Sequence, residues 1–138
     1  MLLDLHNHTR YSPDSRVPPA DLVRLAQKLR LSGIAITDHN SVGGIEEAEA
    51  AAGPNFLVLP AIEISTNAGH VLAYGVREAI PRNLSVADTV ERIVALQEDR
   101  LDRDYVRRWL VECVGNDAER VRKWDEICAA LPVGHRNF

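Results

Sequence analysis

Through the first half of the chain, short apolar runs alternate with stretches of helical period, and most of the runs end in polar residues able to do chemistry. Leu2 to His6 is nearly all apolar and predicts a buried strand. A polar loop over residues 7–17, punctuated by Pro13, follows it. Pro18 and Pro19 suit the first turn of a helix, and Leu22, Val23, Leu25, Ala26 and Leu29 keep a helical period from Ala20 to Leu31. Gly33 fits a stop just past that helix. Ile34 to Thr37 predicts a second strand, Asp38 to Gly44 a turn-rich loop, and Ile45 to Ala52 a helix closed by Gly53-Pro54. Phe56 to Leu59 predicts a third strand, and Ala61 to Ser65 a separate short extended piece. Asn67-Ala68-Gly69 reads as a turn into a strand over His70 to Tyr74, pairing as a hairpin. The order β-α-β-α-β-β implies an α/β fold with mostly parallel strands and helices packed outside.

After Ser85 the pattern changes. Ser85 followed by Asp88 resembles a capped helix start, and apolar residues then keep a helical period from Val90 through Val114. Gly115-Asn116-Asp117 breaks the pattern, and a second helix is expected from about Ala118 to Leu131. The dense charges from Glu98 to Arg108 read as a solvated helix face. The expectation is one domain over 1–138, with a β/α core at 1–80 and a helical segment at 85–131.

Composition narrows the function classes. With 46% apolar and 26% charged residues the chain is ordinary for a soluble globular protein. A formal net charge of −4 provides no global basic field for nucleic acid or anionic lipid, although bound divalent cations would change the local sign. Cys113 and Cys128 lack a C-x-x-C spacing and fall in predicted helices, so they are expected to be buried or half-buried thiols. No run approaches the roughly 20 apolar residues that span a bilayer. The start lacks the charged and apolar regions of a secretory signal. A cytoplasmic protein with no membrane contact is therefore expected.

Candidate chemistry gathers at the strand ends. Side chains two apart on a strand share a side, so His6 and His8 can present imidazoles to one point. Asp38 and His39, then Glu63, then His70 arrive at or near the ends of later apolar runs, which is where parallel sheets bind ligands. Imidazole with carboxylate and without thiolate suits Zn, Mn or Fe in a catalytic rather than a finger-type site. Several histidines with one bridging-capable glutamate have the make-up of a multinuclear centre that activates water beside a phosphate. Asp14 and Asp38 are candidates for a ligand or for a partner that fixes a histidine tautomer, and Arg10 and Arg16 on the first loop could hold a phosphate. His135 reads as a solvated residue near the terminus.

Asp4-Leu5-His6-Asn7-His8-Thr9, Ile36-Thr37-Asp38-His39-Asn40, Ala61-Ile62-Glu63-Ile64-Ser65 and Gly69-His70-Val71-Leu72-Ala73-Tyr74-Gly75 resemble, in order, the first motifs of the PHP (polymerase and histidinol phosphatase) family of metal-dependent phosphoesterases. The resemblance covers roughly residues 1–97. It implies a distorted (β/α)7 barrel, here partial, with one to three Mn, Zn or Fe ions at the carboxyl ends of the strands. By position, His6 and His8 would hold the first ion and Glu63 would bridge first and second. His70 would hold the second, and His39 with Asp14 the third, with Asp38 orienting the site. The compact motifs look more like those of small phosphoesterases acting on nucleotides or short nucleic acids than like those of a polymerase subunit. The family's later His-Pro and Asp-x-His motifs are not found after residue 97, so each ion would lack a ligand from this chain. Three readings stay open. One is a shortened phosphoesterase acting on a phosphorylated small molecule or nucleotide, with missing ligands from His135 or a partner and a homo-oligomer or its own helices covering the open sheet edge. The second is a catalytically impaired module that binds metal or a partner, and the third a fragment with an unrelated tail.

Overall fold

The computed structural model describes residues 1–97 and 100–131. His135 lies outside the described residues. The chain divides into two compact units, residues 1–89 and 90–138.

The first unit is mixed α/β, a curled four-stranded half-barrel sheet with helices. Its strands are β1 (Leu3–Asp4), β2 (Gly33–Ile36), β3 (Leu57–Thr66) and β4 (Gly69–Tyr74), lying in that order. β1, β2 and β3 run parallel, and β4 returns antiparallel to β3. α1 (Pro19–Lys28) and α2 (Ile45–Ala52) are the crossovers. One core forms where Val23 and Ala26 of α1 and Ile45, Ala48 and Ala52 of α2 meet Ile34 and Ile36 of β2 and Val58 of β3. This is the helix-on-sheet layer that the alternating pattern implies.

The strands differ from expectation in three ways, each with a local cause. β1 keeps only Leu3 and Asp4 in the ladder, because the His6 N–H turns to the Asp4 side chain at 3.2 Å and Asn7 bonds the β2 end instead. The two extended pieces around Pro60 are one strand. Pro60 ends the register with β2 at Ile36, Ala61 starts the register with β4 at Tyr74, and the Pro60 carbonyl accepts from Gly75 N at 2.7 Å. A proline's missing donor is harmless at such a hand-over point. Gly33 is not a helix stop but the first residue of β2, where a Cβ would come within 2.7 Å of Leu57 Cβ. α1 ends earlier, at Lys28, and the left-handed turn is made by Arg30 (φ 60°).

α3 (Val86–Gln97) begins as predicted: Ser85 Oγ accepts the Asp88 N–H at 3.1 Å and donates to the Asp88 carboxylate at 2.7 Å. The predicted continuous helix to Val114 divides, since α4 (Arg103–Val114) has its own N-cap in Asp102, which accepts from Tyr105 N at 2.8 Å. α5 spans Glu119–Ala130. In the second unit Val94, Trp124 and Ile127 form a buried apolar cluster, flanked by Val106, Leu110 and Cys128. The Arg103 guanidinium donates to the Cys128 carbonyl at 3.2 Å and to that of Leu131, closing the last turn of α5. Cys113 is exposed rather than half-buried, and Cys128 is half-buried. Among the described residues no helix is long and apolar enough to cross a membrane.

Candidate metal centre

The β3–β4 register puts Glu63 opposite Leu72 and Ser65 opposite His70. Directly opposed residues share a sheet face, so Glu63 and His70 are diagonal neighbours on one face, and His70 Nδ1 lies 3.1 Å from Glu63 Oε1. The first loop reaches the same carboxylate. His6 Nε2 is 3.0 Å and His8 Nε2 2.9 Å from Glu63 Oε2. His39, which follows β2, places Nε2 3.7 Å from the same oxygen. Asp14 approaches from the far end of the loop, with Oδ2 2.8 Å from His8 Nδ1 and 3.7 Å from His39 Nε2. The six metal-ligand candidates from the sequence are thus brought together, in three overlapping groups: His6–His8–Glu63, His8–Asp14–His39 and His39–Glu63–His70.

What holds the segments there is a set of polar bonds between them. Thr37 N donates to the Asn7 carbonyl at 2.9 Å, and Asn7 N donates to Thr37 Oγ1 at 3.0 Å. Asn40 N donates to the Glu63 carbonyl at 2.9 Å, and Asn40 and Ser65 exchange two further bonds. Tyr74 Oη donates to the Leu5 carbonyl at 2.9 Å, fixing the chain just ahead of His6. Asp38 is fully buried, its two oxygens taken by Thr9 N at 2.5 Å and Thr9 Oγ1 at 2.6 Å. It belongs to none of the three donor groups, and holds the loop that carries His8. Gly44 makes room for it: a Cβ there would stand 2.7 Å from Asp38 Oδ2. Thr9, Ser12, Asn7 and Tyr74 were not singled out in the sequence. Asn7, Thr9 and Tyr74 share a short motif with a histidine, and Ser12 lies in the polar loop just after the first one.

The arginines stand differently. Arg10 donates to Glu47 of α2 at 2.7 Å, while Arg16 is exposed with no ion pair among the described residues. Neither makes a bond to the histidine cluster among the described residues.

Electrostatics favour anionic carboxylates here. Burial alone would raise the Glu63 carboxyl, but the hydrogen bond from His6 and the charges of His39, His6 and His8 outweigh it and the net shift is downward. Asp14 is drawn down to about 2, first by the Ser12 hydroxyl and then by His8.

The donor set fits a divalent cation. Ligand atoms about 2.1 Å from a shared ion lie about 3.0 Å apart at right angles and about 3.4 Å apart at the tetrahedral angle. His6 Nε2, His8 Nε2 and Glu63 Oε2 are 2.9 to 3.1 Å from one another. Two imidazole Nε2 atoms 3.1 Å apart, sharing one carboxylate oxygen, cannot all be satisfied by the proton each neutral ring carries.

A family model, the PHP domain, matches residues 4–108. The chain belongs to the PHP family, and its mixed α/β fold, with a curled four-stranded half-barrel sheet, is consistent with a partial PHP-type barrel. A protein of Methanocaldococcus jannaschii without an assigned function is 35% identical over 67% of this chain and 61% of its own length. The 3',5'-nucleoside bisphosphate phosphatase of Chromobacterium violaceum is 30% identical over 73% of this chain and 35% of its own. The 5'-3' exoribonuclease Rnm of Salmonella typhimurium is 36% identical over 48% of this chain and 23% of its own. The chain therefore spans less than two thirds of the length of these curated relatives.

Proposed function

We propose that this chain carries the metal centre of a metal-dependent phosphoesterase and that its substrate is a nucleotide or short nucleic acid. The observation that carries the reading is Glu63: one carboxylate, 7% exposed, met by His6, His8 and His70 within 3.1 Å and by His39 at 3.7 Å. His6, His8 and Glu63 would hold one divalent ion, Glu63 with His70 a second, and Asp14 with His39, beside His8, a third. Bound there, Mn, Zn or Fe would supply Lewis acidity toward a phosphoryl oxygen and lower the pKa of water. The chain's own part is to hold these donors in place before substrate arrives, with Asp38 and Thr9 stiffening the loop and Arg16 free to meet a phosphate. Arg10 would have to leave Glu47 to do the same. The nucleotide preference is supported by two relatives, one named for a nucleoside bisphosphate and one for RNA.

The test is phosphate release from a nucleoside 3',5'-bisphosphate and from a 5'-phosphorylated oligoribonucleotide, with and without Mn. The expected result is Mn-dependent turnover of at least one of them, lost in His8→Ala and in Glu63→Ala. A second reading, a module that binds metal without turnover, is favoured by Arg10, whose guanidinium is held by Glu47 rather than turned to the histidine cluster. Mn uptake with neither substrate consumed would support it and overturn the first.

A further inference from the structure

Ser12 is a buried hydroxyl, 4% exposed, in a loop whose neighbouring residues Tyr11 and Pro13 are exposed. Its Oγ donates to Asp14 Oδ1 at 2.5 Å and accepts the His39 backbone N–H at 3.1 Å. One hydroxyl therefore engages two members of the His8–Asp14–His39 group, which come from two separate chain segments. Because Oδ1 is taken by Ser12, Oδ2 is the oxygen presented to His8 and His39. Among the described residues no serine or threonine hydroxyl does the same for Glu63 or His70.

We propose that Ser12 is a positioning residue for the His8–Asp14–His39 group, joining the Asp14 carboxylate to the His39 backbone so that this group takes up its own divalent cation. The inference rests on the metal-centre reading. It adds that the three donor groups are not equivalent, and that one of them depends on a hydroxyl that touches no ion. Groups that orient metal ligands typically change affinity by about 10–100-fold when removed.

The test is calorimetric titration of Mn into the metal-free chain, comparing wild type with Ser12→Ala, Asp14→Asn and the double variant, together with thermal unfolding of each metal-free protein. Ser12→Ala should weaken, by about 10–100-fold, the same binding step that Asp14→Asn removes, and leave the remaining Mn uptake unchanged. The double variant should lose no more than Asp14→Asn alone, as coupled residues do. Ser12→Thr, which keeps the hydroxyl, should restore the step. If Ser12→Ala does not fold, Ser12→Cys takes its place, with a weaker donor of similar shape. Weakening of every step alike, weakening of none, or strict additivity with Asp14→Asn would overturn the role of Ser12. No Mn uptake by the wild type would overturn the metal-centre reading, and this inference with it.

Discussion

The two units use polar residues in opposite ways. In residues 1–89 the buried polar set includes Thr9 and Ser12 of the first loop, Thr37 and Asp38 just past β2, and Glu63 within β3. In the second unit the buried cluster of Val94, Trp124 and Ile127 is apolar, Gln97 is a buried polar residue, and ion pairs such as Arg107 with Asp125 and Lys123 with Glu126 are exposed. Burying a carboxylate costs several kcal/mol unless it is bonded, typically about 1–3 even for a neutral group. A fold that buries both Asp38 and Glu63 is holding a polar network for some reason other than stability.

That contrast can be broken in order of size. Ile127→Ala removes a large side chain from the apolar cluster and should lower stability by about 2–5 kcal/mol, while leaving Mn affinity unchanged. Both tryptophans, Trp109 and Trp124, lie in the second unit, so denaturant unfolding followed by fluorescence reads that unit. A parallel fall in Mn affinity would contradict the division of labour.

Glu63→Ala should do the reverse. At Mn a hundred times its dissociation constant, binding stabilises the wild type by about 2.7 kcal/mol. Thermal unfolding with and without Mn should show that gain in the wild type and a smaller one in the variant, where only the His8–Asp14–His39 group is left intact. An undiminished gain would remove Glu63 from the centre.

Gly44→Ala is a subtler probe, since a Cβ would meet Asp38 Oδ2 at 2.7 Å and Thr9 Oγ1 at 2.8 Å. Crowding a packed site costs about 1–3 kcal/mol, and here it should also weaken Mn binding by displacing the loop that carries His8. Unchanged Mn affinity would show that the Asp38–Thr9 clasp does not position the donors.

The smallest effect concerns an ordinary surface pair in the first unit. The Arg77 guanidinium, bonded to Glu49 at 2.6 Å, holds the Glu49 carboxyl below its usual 4.5. A depressed folded-state pKa gives stability that is present above 4.5 and lost as pH falls through the lowered value. Such exposed pairs contribute about 0.2–1 kcal/mol. Arg77→Ala should therefore lower stability at pH 6 by that amount, with the difference from wild type vanishing in acid. A difference that grows as pH falls below 4.5 would contradict the assignment.

Much of the site was legible in the sequence because its donors sit in short motifs. His6 and His8 are two apart, Asp38 and His39 adjacent, and Glu63 and His70 flank one hairpin turn. Less legible were the features set by distant partners. Pro60 reads locally as a break, yet β3 passes through it because its neighbours change there from β2 to β4. Asp102 was hidden among the charges of Glu98 to Arg108, and its capping bond to Tyr105 is what separates α4. Asp38 reads equally well as ligand, cap or orienting group, and only the fold decides that Thr9 takes both its oxygens.

The most direct test of the central claim is an anomalous difference map from crystals of this chain soaked in Mn. The account predicts density bonded to Glu63 together with His6 and His8, or with His70. No density at Glu63, with the carboxylate and the imidazoles around it joined only by hydrogen bonds, would contradict it.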